Sequence, residues 1–505
     1  MRVAVIGGGI SGLAFANVFK RFGHECIVFE KSDRIGGIWA TSYPDVRLQN
    51  SREQYHFVDL PWPTPPDQHP TSGQILEYLH HAVESFSLDV RLHHEITEIT
   101  TSDAGWTVTS QTHGNTENTE FDYVVVAIGQ YSEGKHRPRF AGEDAFSGTV
   151  ITERDIDKLE LFDTRRVVVV GFGKSAVDIA SFVATQTRHV DHVFRKPRWL
   201  IPFRILGLHF TYPFFARVTT VFMPSWVHGG SVERFLHYRL PFLVRAFWRL
   251  IGWIVKRHMR GHARGLGQSA SKRLDTVTPQ HGFAPDLRSA TAMAPINYFN
   301  QVAHGAIEPH HAGLAGFSRD GVKLSDGTEL PAEIVVLAVG SEPPIFPFLP
   351  PEYRALLEAE DDGVQLFRHL VHPAIPNLAF AGYNHGFMHV TAAEIGALWL
   401  CALLDGDIDL PRREAMERCI ESVKDWKRRF IHYEPSRSCA VSTRFQQYID
   451  VMLIELGLSP WRKFPNVIAE ILGRYGAADY TGLVNEYLQR RAGRKTALSI
   501  LDIHT

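Results

Sequence analysis

The sequence predicts an α/β protein with two parallel β-sheet units, the second inserted in the first, on one chain of 505 residues. A hydrophobic strand pattern, a glycine-rich turn and a helical pattern follow one another from Val3 and again from Arg166. Apolar strands that close on a small residue and a glycine recur at residues 123–129 and 333–340. Strands that alternate with helices in this order are typical of parallel sheets covered by helices. A helical insertion and a helical C-terminal region complete the predicted architecture.

The first turn carries Gly7, Gly9 and Gly12, and the strand after its helix ends at Glu30. This spacing is the dinucleotide-binding fingerprint of a Rossmann βαβ unit, in which the helix N-terminus holds a pyrophosphate. Glu30 lies 18 residues past Gly12, where a carboxylate accepts hydrogen bonds from ribose hydroxyls. The first turn therefore suits FAD, or NAD.

The second turn carries Gly171, Gly173 and Ala176, and its following strand ends in Arg195 and Lys196. Ala176 stands where the fingerprint has a third glycine, a position that governs how closely helix and strand pack. Arg195 and Lys196 would attract the 2′-phosphate of NADPH, which a carboxylate there would repel. The two turns together predict one FAD and one NADPH on a single polypeptide.

The sequence predicts four segments. In the nucleotide-binding segments, small residues at strand ends would let the backbone approach a cofactor. The segments are an FAD-binding domain at 1–155 that resumes at 331–405, an NADPH-binding domain at 160–330 with a basic, aromatic-rich insertion at 197–275, and a helical region at 406–505.

Composition favours a globular enzyme without metal. The net charge is −2, hydrophobic residues make up 44%, and the four cysteines form no CxxC pair. The histidines are scattered rather than clustered at metal-ligand spacing, so no metal site is predicted. The first strand begins at Arg2 or Val3, which leaves no room for a signal peptide, and no apolar run is long enough to span a membrane. We expect a cytoplasmic protein.

The insertion concentrates positive charge, with 15 Lys or Arg, one acidic residue and 14 aromatic residues between positions 195 and 273. On a helix, its basic side chains gather in an arc of roughly 60° opposite an apolar face. The arc holds Arg245, Arg249, Lys256 and Arg260, and the apolar face holds Leu243, Phe247, Leu250 and Ile254. Such a helix suits peripheral contact with an anionic membrane. A helix packed on the core with a solvated cationic face, or a wall of the NADPH channel, would give the same pattern. Nucleic-acid binding is not expected, because no recognition module accompanies the charge.

With these features in order, residues 1 to about 405 resemble the flavin-containing monooxygenases, most closely their plant- and fungal-type branch. The matching motifs are the Gly7/Gly9/Gly12 turn with Glu30, residues 36–39 (Gly-Gly-Ile-Trp), Leu48-Gln49, residues 55–63 (Tyr-His-Phe-Val-Asp-Leu-Pro-Trp-Pro), residues 171–178, residues 198–202 (Arg-Trp-Leu-Ile-Pro) and residues 381–383 (Ala-Gly-Tyr).

The chain departs from one signature of the family, which lies just before the second glycine turn. The family has a histidine where this chain has Thr152 and an aromatic residue where it has Ile156. This departure concerns a segment that senses NADPH, and so it bears on nicotinamide positioning and coupling. It also argues against the Baeyer–Villiger relatives, whose version of the signature ends in tryptophan. A milder change lies on either side of Gly340, where Val339 and Ser341 replace the family's usual threonine and tyrosine.

The resemblance implies that NADPH reduces FAD, that O₂ adds to the reduced flavin to give a C4a-(hydro)peroxyflavin, and that a small lipophilic substrate takes one oxygen atom. The expected reaction is N- or S-oxygenation, or hydroxylation. The protein then has to exclude water rather than supply a nucleophile.

The resemblance also implies the site residues. Gln49 stands where the family has an amide that hydrogen-bonds the flavin and NADP⁺, although an interior amide that caps a loop would fit equally. His389 and Thr391, at a helix start, should approach the flavin, whose reduced anionic form a helix dipole stabilises. His389 could instead be a loop histidine without a role at the flavin. Trp39 and Tyr55 could wall the flavin or belong to the core. The remaining expected cofactor contacts are Lys31, Gly37, Ile96, Ala127, Gly129, Lys174, Ser175, Gly340 and Gly382.

Two other functions stay open. An NADPH oxidase would use the same cofactors and release hydrogen peroxide, which the changes at Thr152 and Ile156 favour. A catalytically inactive, flavin-bearing scaffold at a membrane surface is the alternative of another class. A disulfide reductase is disfavoured because the sequence holds no redox cysteine pair.

Overall fold

A computed structural model describes residues 1–103, 105–130, 134–187, 189–205, 207–227, 230–287, 292–431, 441–493 and 498–500. Its β-strands are mostly short. In chain order they are β1 Arg2–Ile6, β2 Glu25–Phe29, β3 Asp89–Arg91, β4 Glu95–Ser102, β5 Gly105–Thr112, β6 Asn115–Phe121, β7 Tyr123–Val126, β8 Thr149–Thr152, β9 Val167–Val170, β10 Val190–Val193, β11 Leu200–Ile201, β12 Arg204–Ile205, β13 Leu208–His209, β14 Ala292–Met293, β15 Ile307–His310, β16 Leu314–Ser318, β17 Gly321–Leu324, β18 Glu329–Pro331, β19 Ile334–Leu337, β20 Leu378–Phe380, β21 Ile408–Asp409 and β22 Leu498–Ser499.

The α-helices dominate the insertion and the C-terminal region. They are α1 Ile10–Arg21, α2 Ser72–Phe86, α3 Lys174–Gln186, α4 Thr211–Phe214, α5 Arg217–Thr220, α6 Ser231–Arg239, α7 Pro241–Gly261, α8 Gly267–Thr276, α9 Phe283–Leu287, α10 Tyr298–His304, α11 Pro351–Leu357, α12 His389–Leu404, α13 Arg413–Phe430, α14 Phe445–Glu455, α15 Val467–Leu472 and α16 Leu483–Ala492.

Two five-stranded sheets, in which every strand pair is parallel, confirm the predicted fold class. The first has the strand order β20-β7-β1-β2-β3 and the second the order β15-β10-β9-β19-β8. The second sheet is inserted in the first, because β20 returns to pair with β7 after the second sheet is complete. Two small antiparallel sheets, β4-β5-β6 and β16-β17-β18, flank them.

The predicted domain boundaries stay a prediction, but two strands differ from their predicted segments. We expected β8 and β19 in the FAD-binding segments, whereas both lie in the second sheet, with Leu337 of β19 opposite Thr152 of β8 and Val170 of β9. A strand that closes on a small residue and glycine occurs in both sheets. The local pattern therefore cannot specify which sheet the strand joins.

Alternate residues of the central strands pack into different hydrophobic cores. Val3 and Val5 of β1 belong to the large core that runs through both sheet units, while Ala4 and Ile6 face a second core. The period of two follows from the strand geometry, and burial on both faces explains why these strands are apolar throughout. Helix α12 is buried almost all round because it lies between α1 and α14.

Helix α7 forms as predicted, but it buries a different face. Its buried stripe consists of Val244, Trp248, Gly252, Val255 and Met259, whereas Leu243 and Leu250 of the predicted apolar face are exposed. The helix is apolar over more than half of its circumference, so the sequence pattern alone did not identify the side that packs on the protein. Among the described residues, no helix combines the length and apolarity needed to cross a bilayer.

Candidate functional site

The first glycine turn brings β1, α1 and β7 into backbone contact. Gly7 has a φ of +117°, and a Cβ there would lie 2.4 Å from the carbonyl oxygen of Ala127. A Cβ on Gly12 would lie 2.1 Å from the carbonyl oxygen of Gly7. Only glycine fits at these two positions, as the sequence pattern predicted.

A cradle beside this turn is lined by the backbone of two glycines and closed by one carboxylate. A Cβ on Gly37 would lie 3.3 Å from the Cα of Gly9, so the two glycines face each other closely. Gly9 caps α1 without a side-chain hydrogen bond, which leaves the first N–H groups of the helix for an anion. Glu30 closes the far side, where Oε2 accepts a hydrogen bond from the Gly8 N–H at 2.8 Å.

The second glycine turn repeats this geometry. Gly171 has a φ of +126°, and a Cβ there would lie 2.2 Å from the carbonyl oxygen of Ala338 and 3.3 Å from the Cβ of Ala176. A Cβ on Gly173, in contrast, would meet nothing within 4 Å. Gly171 is therefore a fold requirement, and Gly173 leaves open space at the N-terminus of α3.

The helix after the second turn is anchored to the first unit. Lys174 forms an ion pair with Asp178, and the Tyr43 hydroxyl donates to Asp178 Oδ2 at 2.9 Å. Burial raises the pKa of Tyr43 well above its usual value, and Ser175 also hydrogen-bonds this hydroxyl. Lys174 and Ser175 thus lie at the junction between the two units.

Arg195 and Lys196 follow β10 and are exposed at the carboxyl edge of the second sheet. The Gly171 N–H donates to the carbonyl oxygen of Val193 at 2.9 Å, which brings the end of β10 beside the second turn. His311, just past β15, lies 3.1 Å from the Arg195 carbonyl oxygen through its Nε2.

The remaining predicted cofactor contacts vary in position. Gly129, Gly340 and Gly382 all have positive φ, and a Cβ on Gly382 would lie 2.9 Å from Ser11 Oγ in the first turn. Lys31 is exposed, whereas Ile96 is buried in the second core. Only the backbone of Ile96 could therefore reach a ligand.

Trp39 and Tyr55 contact each other. The Trp39 indole Nε1 donates to the Tyr55 hydroxyl at 2.7 Å, and Tyr55 is buried in the large core. The core interpretation therefore fits Tyr55, while the half-buried Trp39 lies next to Gly37.

His389 and Thr391 lie at the N-terminus of α12, as predicted, and meet the N-terminus of α1. His389 Nε2 lies 2.9 Å from Ser11 Oγ. Burial lowers the pKa of His389 to about 4, so the ring is neutral at pH 7. Among the described residues, neither His389 Nδ1 nor the buried Thr391 Oγ1 has a hydrogen-bond partner. Buried polar atoms without partners at a site of this kind indicate room for a ligand.

The loop that carries Gln49 connects three parts of the chain. Gln49 Oε1 accepts a hydrogen bond from the Met293 N–H at 2.9 Å, which links this loop to β14 beyond the insertion. The neighbouring Asn50 donates through Nδ2 to the carbonyl oxygen of Phe387, just before α12. The loop is therefore held between the start of α12 and the second unit.

A histidine pair that the sequence analysis missed supports the same loop. His69 Nδ1 lies 2.9 Å from the Asn50 carbonyl oxygen, so this nitrogen carries the proton. His69 Nε2 then accepts from His209 Nε2 at 3.0 Å, and the Thr211 hydroxyl donates to His209 Nδ1 at 2.8 Å. Burial lowers the pKa of both histidines, that of His69 to about 4. No local spacing connects residues so far apart in the chain, and the scatter of histidines concealed the pair.

Thr152 and Ile156, the two residues that differ from the family signature, both have partners within the fold. The Thr152 hydroxyl and N–H both donate to Asp155, and Ile156 is buried in the large core. Thr152 ends β8 at the carboxyl edge of the second sheet, the edge at which Gly171 follows β9.

The sequence that forms this site is similar to that of known proteins over most of its length. Residues 4–202 match the family model described as pyridine nucleotide-disulphide oxidoreductase. The chain is 30% identical over 530 residues to a protein named probable flavin-containing monooxygenase 1 from Arabidopsis thaliana, which covers 95% of this chain and 96% of that relative. A protein named putative flavin-containing monooxygenase 2 from the same organism is 29% identical and covers 82% of this chain and 88% of its own length.

A solved structure shares the whole fold. The crystal structure of cyclohexanone monooxygenase from Rhodococcus sp. Phi1 bound to NADP⁺ superposes with a TM-score of 0.65 at 16% identity, and covers 97% of each chain. At this identity the likeness shows the fold.

Proposed function

The chain belongs to the flavin-containing monooxygenase family, and we propose that it catalyses the NADPH-dependent oxygenation of a small lipophilic substrate with O₂. The observation that carries this proposal is the pair of glycine turns, one beside Glu30 and one beside Arg195, with the Gln49 loop linking the two units.

The first turn fits FAD. Its pyrophosphate would lie at the N-terminus of α1 against Gly9 and Gly37, and Glu30 would accept hydrogen bonds from the adenosine ribose. Thr391 Oγ1 and His389 Nδ1 offer polar atoms that lack partners in the described structure. Bound FAD would accept a hydride from NADPH and activate O₂ for transfer of one oxygen atom.

The second turn fits NADPH in the same way. The open space at Gly173 would receive the pyrophosphate, and Arg195 with Lys196 would pair with the 2′-phosphate. Arg195 follows the strand whose end contacts the turn, so charge and turn belong to one site.

The chain's own residues would orient the reactants and exclude water. Gln49 Oε1 is already committed to the Met293 N–H, which leaves its amide N–H₂ group to donate toward a ligand. The neutral His389 holds Ser11 at the first turn without adding a positive charge. Burial around the start of α12 keeps bulk water away from this region.

Rapid mixing tests the proposal. Enzyme reduced by NADPH is mixed with oxygenated buffer in the presence of NADP⁺ and without substrate, and the absorbance spectrum is followed. We expect a species that lasts many seconds and whose spectrum differs from both reduced and oxidised flavin. Immediate return to oxidised flavin with hydrogen peroxide equal to the NADPH consumed would favour the oxidase instead. Failure of NADPH to bleach the flavin without oxygen would favour the inactive scaffold.

The choice of NADPH over NADH has its own test. Replacing Arg195 and Lys196 by alanine should raise the KM for NADPH by about tenfold or more, because a charge-assisted phosphate contact contributes about 1.5–3 kcal/mol. The KM for NADH should change little. Equal effects on both nucleotides would mean that the 2′-phosphate binds elsewhere.

We also propose peripheral contact with a membrane through residues 197–275, as their charge and aromatic content predict. Such contact needs no spanning helix. The proposed oxygenation requires no membrane, so the two proposals can fail separately.

A further inference from the structure

Helices α6 and α7 expose large apolar side chains that the protein core does not use. On α6, Val232 and Tyr238 are each 72% exposed, and on α7 Trp253 is 59% exposed. Other exposed apolar side chains of this pair are Phe235, Phe242, Leu243 and Leu250. The two helices pack against each other, so these seven side chains lie on adjoining elements, and we treat them as one patch. So many exposed apolar side chains on two neighbouring helices are unusual on a surface that only water contacts.

The outer side of α7 carries exposed apolar side chains among arginines, although its inner side already packs on the protein. Its inward stripe centres on Trp248 and Val255. On the opposite side of the helix, Ala246 and Leu250 lie on either side of Arg257, and all three are exposed. A helix that only covers a core would carry mostly polar residues there. The outer face therefore fits a surface that offers both an apolar layer and negative charge.

A second exposed apolar patch lies on α15 and the segment before it. Ile468 is 73% exposed and Phe464 is 68% exposed. Trp461, Val467, Ile471 and Leu472 are also exposed.

The two patches are joined through α5. Helix α15 contacts α5, and Ala216 forms a β-bridge with Arg474. On the other side of α5, His237 of α6 lies 2.8 Å from the Val221 carbonyl oxygen through its Nε2. Val218 of α5, itself 44% exposed, lies between the patches. We call the combined surface of α5, α6, α7 and α15 the docking face.

Positive charge surrounds the α6 and α7 part of the docking face. Between residues 231 and 261 the chain has seven Lys or Arg and one acidic residue, Glu233. Of the arginines there, Arg260 pairs with Asp275, while Arg234, Arg239, Arg245 and Arg249 form no ion pair within the described residues. Cations that flank exposed apolar side chains match a surface with negative headgroups above an apolar layer.

We infer that the docking face seats this protein on an anionic lipid bilayer, with α7 lying in the headgroup region and α15 inserting its apolar side chains beside it. This inference rests on the proposed membrane contact and names its surface and lipid. A second copy of the chain fits less well, because a symmetric pair would bring the same arginines together. An anionic bilayer supplies both the opposite charge and the apolar layer.

Sedimentation of the flavin-loaded protein with vesicles tests the inference. Vesicles of phosphatidylcholine with about 30% phosphatidylserine should carry the protein down at low salt, and vesicles of phosphatidylcholine alone should carry down much less. Salt near 0.5 M should release a large part of the bound protein, because screening removes the electrostatic contribution.

Three double variants locate the contact. Leu250→Gln with Trp253→Gln, Ile468→Gln with Leu472→Gln, and Arg245→Gln with Arg249→Gln should each weaken partitioning by about tenfold. The control is Ile345→Gln with Leu356→Gln, which changes two exposed apolar residues outside the docking face and should bind like the wild type. Every variant should keep the wild-type rate of NADPH consumption in vesicle-free buffer.

The outcomes distinguish the docking face from membrane contact in general. Loss of binding in the docking-face variants and not in the control supports the inference. Wild-type binding that all three variants retain would overturn the docking face and leave membrane contact standing. Absence of wild-type binding would overturn both, and a concentration-dependent dimer that these variants dissolve would assign the face to a second copy. NADPH consumption tests the enzymatic proposal independently of all these results.

Discussion

His69 and His209 form a hydrogen bond that exists only while His69 is neutral, because His69 Nε2 is the acceptor. A proton on His69 Nε2 would place two donors opposite each other, 3.0 Å apart, next to the loop that carries Gln49. Protonation of His69 would therefore break its hydrogen bond to His209 and disturb the loop that carries Gln49.

Acidification should weaken the folded state through His69. The pKa of His69 is about 4 in the folded protein and about 6.5 in the unfolded chain. Between these two pH values the unfolded chain binds a proton that the folded protein does not bind. The stability contributed by the neutral ring is fully present above about pH 6.5 and is lost as the pH falls toward 4. In guanidinium unfolding at pH 7 and pH 5, His69→Asn should lose about 2 kcal/mol less stability on acidification than the wild type.

His80→Asn, on the exposed side of α2, serves as the control and should follow the wild-type pH dependence. Equal acid sensitivity in His69→Asn and the wild type would show that His69 does not contribute to it.

At the scale of the element, the second strand-turn-helix unit separates what the fold needs from what a ligand needs. Gly171 touches the Ala338 carbonyl oxygen, whereas Gly173 has open space and an ordinary extended backbone. Two glycines of one motif thus have different physical roles.

Gly173→Ala should leave the melting temperature within about 2 °C of the wild type and weaken NADPH binding by about tenfold or more, because a methyl group would occupy space next to the helix N-terminus. Gly171→Ala should destabilise the protein by several kcal/mol, about what backbone strain and a clash together cost. Thermal unfolding and nucleotide titration measure the two effects. Unchanged NADPH affinity in Gly173→Ala would mean that the pyrophosphate binds away from this turn.

Across the whole molecule, a buried ion pair ties the C-terminal helices to the first sheet unit. Arg368 Nη2 lies 2.6 Å from Glu455 Oε1 on α14, and the Trp399 indole of α12 donates to Glu455 Oε2 at 2.9 Å. Arg368 and Glu455 are both buried. The C-terminal region is therefore part of the folded unit rather than an appendage.

Glu455→Gln should lower the free energy of unfolding by about 3–5 kcal/mol, because it leaves the charge of Arg368 buried without its counter-charge. Glu417→Gln is the matched control, since it breaks an exposed pair with Arg413 on α13 and should cost less than about 0.5 kcal/mol. Chemical denaturation compares them, and similar losses in the two variants would contradict the structural role assigned to the buried pair.

Sequence reasoning identified the features that depend on a few neighbouring residues. Gly7 and Gly171 were predictable because their backbone angles allow only glycine, and the fold class followed from the strand-turn-helix units around them. The helix that begins at His389 and the basic helix α7 were equally readable from local pattern. Among the predicted site residues, the positions of Gln49, His389 and Thr391 follow from family resemblance, and their roles stay predictions.

The tertiary structure decided every feature that depends on contacts between distant residues. It assigned β8 and β19 to the second sheet, turned Leu250 of α7 outward, and joined His69 to His209 and Gln49 to Met293. A turn is fixed by local steric constraints that the sequence states directly. Sheet membership, the buried side of an apolar helix and a hydrogen bond across 140 residues depend instead on how the whole chain packs, which no short pattern encodes.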